Sequence, residues 1–380
     1  MKVNYLNEMI AFFQEVLYSN HDKFRKQQLQ ATNQLKSYVI ENHLFHSNTE
    51  NNPDLIFNFF KEFNGSLHKR DFNILSTKDE NLFINHTSEG TLYIDTSNRR
   101  FWKIHSVAKV ELSDYFHTTI TKRKGVDRTW LPIPFLLNMR KFGEMYGLGV
   151  TFTEKMKQDK FDLLYLENKN NLNMDIRRLY VNEFLELIQN SDLKTTMGIG
   201  KISILDASSN GEEDYIIDDI TYYGKLTARG TSFSKHNFLL DSVLNNYEKV
   251  INNIESTYSF NYNEDDYIVE GYPLEIQFNR EDIDLYTLTE LLFSGNKPFN
   301  LWGIPQWKNE GYCTVSAVDL HNGNQGKIID FEVFKNKIRV YVPKGTCGNS
   351  VARLLTNLHQ FVDATSVMKG VQGNEFFSSI

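Results

Sequence analysis

The fold class is indicated most clearly by one stretch near the C-terminus, Ile338-Arg339-Val340-Tyr341-Val342-Pro343-Lys344-Gly345-Thr346-Cys347-Gly348-Asn349-Ser350-Val351-Ala352-Arg353-Leu354-Leu355. Apolar residues alternate with other residues up to Val342, which predicts a strand, and helical apolar spacing follows Ser350. Gly345 and Gly348 lie between the two patterns and predict a turn. The stretch therefore combines a strand, a glycine-containing turn and a capped helix.

This turn is a candidate anion site, because backbone N–H groups and a helix dipole point at one spot. Glycine lets a ligand approach the backbone, a side-chain oxygen caps the helix, and basic side chains supply charge. The residues predicted to contact a phosphate or nucleotide are Lys344, Gly345, Gly348, Asn349, Ser350 and Arg353. The Walker pattern is absent, since no lysine precedes Ser350. An ordinary capped turn between a strand and a helix explains the same residues.

Outward from this stretch, helical and strand patterns alternate irregularly. Helices are predicted at residues 4–46, 54–63, 135–147, 172–189, 235–258, 283–293 and 350–361. Strands are predicted within residues 72–120 and at 201–205, 215–226, 267–278, 314–319, 327–334 and 337–342. Because the order is not strictly βαβ, the predicted fold class is α+β, with an N-terminal helical segment followed by mixed or antiparallel sheets and packed helices. The predicted division is a helical arm or cap at 1–64, an α+β domain at 65–262 and a C-terminal α+β domain at 263–380.

The composition indicates a globular protein without a disulfide framework. The chain has 380 residues, 41% of them hydrophobic, and only two cysteines, which form no CxxC pair. The N-terminus lacks the basic start and apolar run of a signal peptide. No apolar stretch reaches the roughly 18–20 residues that span a bilayer. We therefore expect a cytoplasmic protein with no membrane partner, and the pattern predicts no metal site and leaves any cofactor unknown.

The chain has a net charge of −7, yet one predicted turn is locally basic. Three consecutive basic residues, Lys122, Arg123 and Lys124, are followed by Arg128 and Trp130. Basic side chains with a nearby aromatic ring suit a nucleic-acid backbone and a stacked base. The alternative is a solvated basic loop followed by a tryptophan that packs into the core. The overall negative charge argues against charge-driven coating of nucleic acid.

A second basic turn lies between a predicted strand and the helix that follows it. Residues 222–236 carry Lys225 and Arg229 together with two glycines, and these two cations are further candidates for phosphate contact. The alternative is a strand end followed by a helix cap at Ser232 or Ser234. The chain thus has three glycine-bearing basic turns.

Two carboxylate motifs support an enzymatic alternative. Asp319 and His321 share one strand face, so they could bind a metal or act as an acid–base pair. Asn322 and Gly323 follow directly, and an ordinary turn explains the pair as well. Residues 162–169 loosely resemble metal-dependent nucleases, with Asp162, Glu167 and Lys169 as the matching positions.

The hypothesis that follows is a non-catalytic binding or assembly subunit of a bacterial, nucleic-acid-directed multi-protein system, such as antiviral (phage) defence. Its expected partners are another protein subunit and a nucleic acid or nucleotide. Aromatic residues at Phe299–Trp307 could form the protein surface, since Trp and Phe are favoured at interface cores. One alternative is a metal-dependent nuclease or nucleotide hydrolase. Another is a sensor whose C-terminal turn binds a nucleotide signal.

Overall fold

The computed structural model describes residues 3–26, 34–45, 53–66, 72–156, 171–178, 180–208, 214–263, 267–324, 326–373 and 375–377. Within these ranges the eight α-helices are α1 (Leu6–Arg25), α2 (Pro53–Asn64), α3 (Val110–Ile120), α4 (Ile133–Asn138), α5 (Val181–Asn190), α6 (Phe233–Thr257), α7 (Leu285–Phe293) and α8 (Asn349–Phe361). None of the described helices has both the length and the apolar character needed to cross a membrane.

The strands of the first half of the chain are β1 (Leu35–Asn42), β2 (Ile74–Ser76), β3 (Leu82–Thr87), β4 (Gly90–Asp95), β5 (Phe101–Ser106), β6 (Val126–Arg128), β7 (Glu144–Thr153) and β8 (Asn171–Arg177). Those of the second half are β9 (Ile199–Ala207), β10 (Tyr215–Thr221), β11 (Lys225–Gly230), β12 (Ser259–Asn263), β13 (Ile268–Glu270), β14 (Leu274–Gln277), β15 (Leu301–Trp302), β16 (Gln306–Asn309), β17 (Tyr312–Asp319), β18 (Ile328–Phe334), β19 (Lys337–Pro343) and β20 (Val367–Lys369).

The chain divides into two compact units. The first contains Met1–Thr129, Phe142–Glu144 and Ser203–Asn245, and the second contains Trp130–Lys141, Met145–Ile202 and Asn246–Ile380. Each unit therefore assembles segments that are far apart in sequence.

The first unit is built on a sheet in which β1 is central. The strands that lie wholly within this unit follow the order β2-β3-β4-β5-β1-β11-β10, and β6 also pairs with β1. Each of these pairings is antiparallel. All eight residues of β1 are buried, because neighbouring strands flank it and helices cover both faces. One face packs on α2 and α3 through Phe60 and Phe116, and the other packs on α1 through Phe13.

The second unit carries a sheet with the order β13-β12-β19-β18-β17-β15. β14 pairs with β19 and β20, while β16 pairs with β17. The β12–β19 pairing is parallel and the others are antiparallel. β7 and β8 pair with each other in antiparallel fashion. Helix α8 is buried from Asn349 to Gln360, so its polar side chains need partners inside the protein.

The α+β class, with an N-terminal helix and mixed and antiparallel sheets, is confirmed. Three of the predicted helices are wrong in part. Leu35–Ile40 belongs to β1 and Leu172–Arg177 belongs to β8. The helix predicted at residues 135–147 ends earlier than expected, because β7 begins at Glu144. These segments are strands because they pair with neighbouring strands. The helical spacing of their apolar residues carries no information on such long-range partners.

Candidate functional site

The C-terminal turn joins a strand to a helix as predicted, but the predicted cap by Asn349 or Ser350 is wrong, because Gly348 takes the N-cap position and no side chain caps the helix in the described structure. β19 ends at Pro343 and α8 begins at Asn349. Lys344 and Gly345 are exposed, and Gly345 has a φ of +80°, which favours glycine. The other four predicted contact residues, listed here together, are buried: Gly348, Asn349, Ser350 and Arg353.

The N-terminus of α8 is occupied by groups of the protein itself. The Gly348 N–H donates to the Glu255 carboxylate at 2.8 Å, and the Tyr247 hydroxyl donates to the Asn349 side chain. A carboxylate at a helix N-terminus gives the same stabilisation that a bound anion would give. Glu255 therefore stands where the sequence predicted a phosphate.

Asp319 lies at the centre of a buried polar cluster. Its carboxylate accepts from the Ser350 hydroxyl at 2.8 Å and from Arg353 Nη2, which lies 2.5 Å from both oxygens. It also accepts from the backbone N–H of His321 at 3.0 Å. Asp319 is fully buried and Arg353 is 2% exposed. The Asp319 and Arg353 charges compensate each other, so a metal or substrate at Asp319 would have to displace Arg353.

Two of the predicted basic turns meet at β1. Arg128 pairs with Ile40 and Lys225 pairs with Tyr38, both on the edge of β1 that faces away from β5. The Arg128 guanidinium lies 5.9 Å from the centre of the Tyr223 ring. The structure thus brings together Arg128 and Lys225, which are almost one hundred positions apart in the sequence.

A glycine fixes the close approach of these turns. Gly224 has a φ of +75°, and a Cβ atom there would lie 1.8 Å from the Thr129 hydroxyl oxygen. The Gly224 carbonyl accepts from the Val39 N–H at 3.1 Å. Any side chain at position 224 would push the two turns apart.

The remaining cations of the first turn lie at the surface. Lys122 and Lys124 are exposed, and the half-buried Arg123 has its guanidinium 5.1 Å from the centre of the Phe63 ring. We call Lys122, Arg123, Lys124 and Arg128 the basic surface. Arg229 differs, because its Nη2 lies 2.8 Å from Asp219, which also accepts from Ser203.

β1 and α3 contribute residues that the sequence patterns missed. The Tyr38 hydroxyl and Lys225 Nζ each lie 2.6 Å from the Asp114 carboxylate. The His117 ring stacks on Tyr38 with centres 4.6 Å apart. Lys36 is 1% exposed and donates to the Gln34 carbonyl. We call Lys36, Tyr38, Asp114, His117 and Lys225 the polar face.

Burial shifts the ionisation of these groups. It lowers the pKa of Lys36 to about 8, and the nearby charge of Lys225 acts in the same direction. Burial, followed by the charges of Arg128 and Lys225, holds the pKa of His117 well below its usual range. Burial and the Asp114 charge raise the pKa of Tyr38. At neutral pH His117 is therefore a neutral base beside several cations.

The opposite face of β1 carries a second buried network. Asp218 lies 2.7 Å from His236 Nδ1, and Ser37 Oγ lies 2.7 Å from His236 Nε2 and 2.8 Å from His105 Nδ1. All four side chains are fully buried. Phe13 and Phe233 flank the network, with ring centres 5.5 and 5.7 Å from that of His105. The chain of contacts from Asp218 to His236 to Ser37 involves the same side-chain types as a hydrolase triad. Helix α1 packs over this face of β1, so the network is covered by protein.

We expect this network to act mainly on stability. Ser37→Ala should lower the free energy of unfolding by about 1–3 kcal/mol, because His236 Nε2 loses its buried partner. Urea unfolding of the variant and the wild type measures the difference. A loss below about 0.5 kcal/mol, the range of ordinary surface substitutions, would contradict this role.

The motif formed by Asp162, Glu167 and Lys169 lies outside the described residues. Its predicted role in nuclease chemistry stays a prediction.

Comparison with known proteins identifies the family. The family described as MJECL33-like protein matches residues 1–377. The chain belongs to this family. It is similar to the uncharacterized protein MJECL33 of Methanocaldococcus jannaschii, with 31% identity over 316 residues, which cover 74% of this chain and 76% of the relative. No solved structure matches the chain.

Proposed function

We propose that this MJECL33-like protein is a binding subunit that contacts a nucleic-acid backbone through the basic surface of its first unit. The observation that supports this most directly is the meeting of two distant basic turns at β1, with Arg128 beside Tyr223. Cations that follow a backbone next to partly exposed aromatic rings are typical of single-stranded nucleic-acid binding. Tyr222 lies against Tyr223, with ring centres 5.3 Å apart.

The net charge of −7 limits how such binding can work. A polyanion is not attracted to the protein as a whole, so the affinity depends on local contacts at the basic surface. Each phosphate that is neutralised releases counterions, which makes the binding sensitive to salt. We therefore expect measurable binding at low ionic strength and a steep loss as salt increases.

Replacing Lys122, Arg123 and Lys124 together with glutamine should weaken binding of a labelled single strand about tenfold or more at low salt. The slope of log affinity against log salt should fall by roughly 2, because each single-strand phosphate contact contributes about 0.7. Fluorescence anisotropy over a salt series measures both quantities.

The matched control replaces three exposed lysines of the second unit with glutamine: Lys297, Lys308 and Lys335. It makes the same change in net charge at sites with no proposed role. Equal losses in the two variants would reject the basic surface as the binding site, and no binding by the wild type would reject the proposed function.

We further propose that the second unit docks a protein partner. The supporting observation is an exposed aromatic surface at the predicted position: Trp302, Ile304 and Trp307 are 52%, 73% and 37% exposed, whereas Phe299 is buried. Tyr286 stacks near Trp307 with ring centres 4.3 Å apart. Large exposed aromatic residues are costly in water and are enriched at interface cores.

Replacing Trp302 and Ile304 with serine should abolish stoichiometric co-purification of a partner from the native host. The control replaces Leu187 and Leu193, which are 63% and 59% exposed, with serine. Retention of the partner by the Trp302/Ile304 variant would show that this surface is not the docking site. A nucleic-acid-directed assembly, such as one of antiviral defence, stays our proposal for the wider system.

A further inference from the structure

The sheet of the second unit ends in an edge strand with exposed apolar side chains. β13 is the outermost strand next to β12, and none of the described strands pairs with its other side. Ile268 and Val269 are 56% and 61% exposed. Because they are consecutive in a strand, they lie on opposite faces. Both faces of this edge therefore expose an apolar side chain beside the backbone groups of an open edge.

The β15 edge of the same sheet is protected, and the comparison shows what β13 lacks. β15 and β16 both pair with β17, and the interruption Gly303–Pro305 lies between them. Proline has no backbone N–H, and an interruption removes the regular spacing of donors and acceptors that a further strand needs. β13 contains neither proline nor lysine, and its register with β12 is continuous. It therefore keeps the edge to which another strand can add.

The β12–β13 pair extends beyond the pairing of β12 with its other neighbour. In the described structure β12 pairs with β19 at Ser259 and Phe260, whereas its pairing with β13 begins at Asn261. Two strands without a third neighbour are only marginally stable in water. We call β13 together with residues 261–263 of β12 the strand arm. An added strand would give this arm a third member and cover its apolar side chains.

The segment that contains the strand arm is acidic. From Val250 to Asn279 the sequence has no lysine or arginine. Its acidic residues are Glu255, Glu264, Asp265, Asp266, Glu270 and Glu275. Two of them have partners, since Glu255 accepts the Gly348 N–H and Glu275 forms a salt bridge with Lys337 at 2.9 Å. The segment as a whole keeps an excess of negative charge.

Glu270 is the exposed carboxylate of β13, and it forms no salt bridge with the described residues. The exposed Lys344 lies at the base of the strand arm, where its N–H donates to the Phe260 carbonyl at 2.9 Å. One cation at the base thus stands against several acidic residues of the segment. This charge favours a partner that brings lysine or arginine.

The two faces of the strand arm differ in character. Val269 lies opposite Tyr262 in the register, so their side chains share one face, which is apolar and exposed. Ile268 and Glu270 are two residues apart and share the other face. A lysine on that face can lay its aliphatic stem along Ile268 and its ammonium near Glu270. An added strand fits best when apolar and basic residues alternate along it.

We propose that the strand arm binds an extended segment of a partner protein, with alternating apolar and basic residues, by strand addition to β13. Backbone hydrogen bonds hold such a segment, and side chains on its two faces select it. A second copy of this chain is a poorer match, because it would bring two acidic arms together. The proposal goes beyond the functions proposed above, since the strand arm includes neither the basic surface nor Trp302.

The test uses the full chain and a fluorescent synthetic peptide of about eight residues that alternates lysine and valine, the length of an ordinary strand. We expect saturable binding at peptide concentrations below about 1 mM by anisotropy. Hydrogen exchange of the amides at 268–270 should slow about tenfold or more when the peptide is bound, because strand addition pairs backbone groups. A peptide that alternates glutamate and valine should not bind.

Two variants test the charge and the apolar side chains separately. Glu270→Lys should weaken binding of the lysine–valine peptide about fivefold or more, because an attraction becomes a repulsion. Its matched control is Glu310→Lys, an equal change in charge at an exposed position between β16 and β17, which should bind as the wild type does. Ile268→Ser with Val269→Ser keeps the charge and should also weaken binding.

Each outcome decides the proposal. Binding with slower exchange at 268–270, lost in Glu270→Lys and kept in Glu310→Lys, supports it. Absence of binding, binding without slower exchange at 268–270, or equal binding of the glutamate–valine peptide overturns it. Slower exchange at 268–270 that depends on protein concentration without peptide assigns the edge to a second copy and also overturns it. None of these results affects the tests of the basic surface or of Trp302 and Ile304.

Discussion

Replacing Asp319 with alanine is expected to lower the free energy of unfolding by about 3–5 kcal/mol. The variant leaves the Arg353 guanidinium buried without the carboxylate that lies 2.5 Å from it, and Ser350 loses its acceptor as well. A buried charge that has lost its partner costs far more than the pair contributes when intact. Urea unfolding followed by tryptophan fluorescence measures the loss.

The matched control removes both charges at once. The double variant Asp319→Leu with Arg353→Met should lie within about 1 kcal/mol of the wild type, because apolar groups of similar volume often replace a buried ion pair without loss. If the double variant is as unstable as Asp319→Ala, packing rather than the charge pair determines the effect. If Asp319→Ala is as stable as the wild type, the pair does not contribute as described.

This result bears on how functional assays are interpreted. Asp319 and His321 were the candidates for metal or acid–base chemistry, and Asp319→Ala is the obvious variant with which to test them. Since the variant is expected to lose about 3–5 kcal/mol of stability, a loss of activity would not by itself identify a catalytic residue. Asp319→Ala therefore needs a stability measurement before any assay of it is interpreted.

Acidification from pH 7 to pH 4 is expected to remove about 3 kcal/mol of stability through His359 alone. Burial lowers the pKa of His359 to about 4, against about 6.5 in the unfolded chain. The contribution is therefore fully present above pH 6.5 and is lost as the pH falls to 4, at about 1.4 kcal/mol for each pKa unit. Burial also lowers the pKa of His105 and His117, so they add to the loss in the same direction.

The hydrogen bonds of His359 explain why it stays neutral. Its Nδ1 accepts from the Ile133 N–H at 3.2 Å, and its Nε2 donates to the Ser366 carbonyl at 2.8 Å. Protonation of Nδ1 would place two donors face to face inside the protein. Glutamine offers one acceptor and one donor without a titrating group, so His359→Gln should reduce the acid-induced loss by about 3 kcal/mol. Urea titrations at pH 7 and pH 4 give the comparison, and an unchanged pH dependence would reject His359 as the titrating group.

Several features of the fold were predictable from the sequence because their signals are local. Apolar alternation predicted β18 and β19, and helical spacing of apolar residues predicted α6, α7 and α8. The glycine turn before α8 followed from Gly345 and Gly348, since glycine has a defined role in turns. The α+β class followed from the irregular order of these elements.

β1 was not predictable, and its omission hid the polar face and the Ser37 network. The segment Leu35–Asn42 carries lysine, serine, tyrosine and glutamate among apolar residues, so its pattern is ambiguous. Its strand conformation depends on pairing with β5 and β11, which come from residues about 65 and 190 positions later. Alternation along the strand then places Ser37 on one face and Lys36 and Tyr38 on the other.

The sequence by itself determined the types of element, the glycine turns and the identity of the cations in the basic turns. Tertiary structure alone decided which cations are compensated by a buried carboxylate, as Arg353 is by Asp319, and which remain at the surface, as Lys122 does. The physical reason is that conformational preferences act over a few neighbouring residues, whereas burial and charge pairing depend on groups that the fold brings from distant parts of the chain.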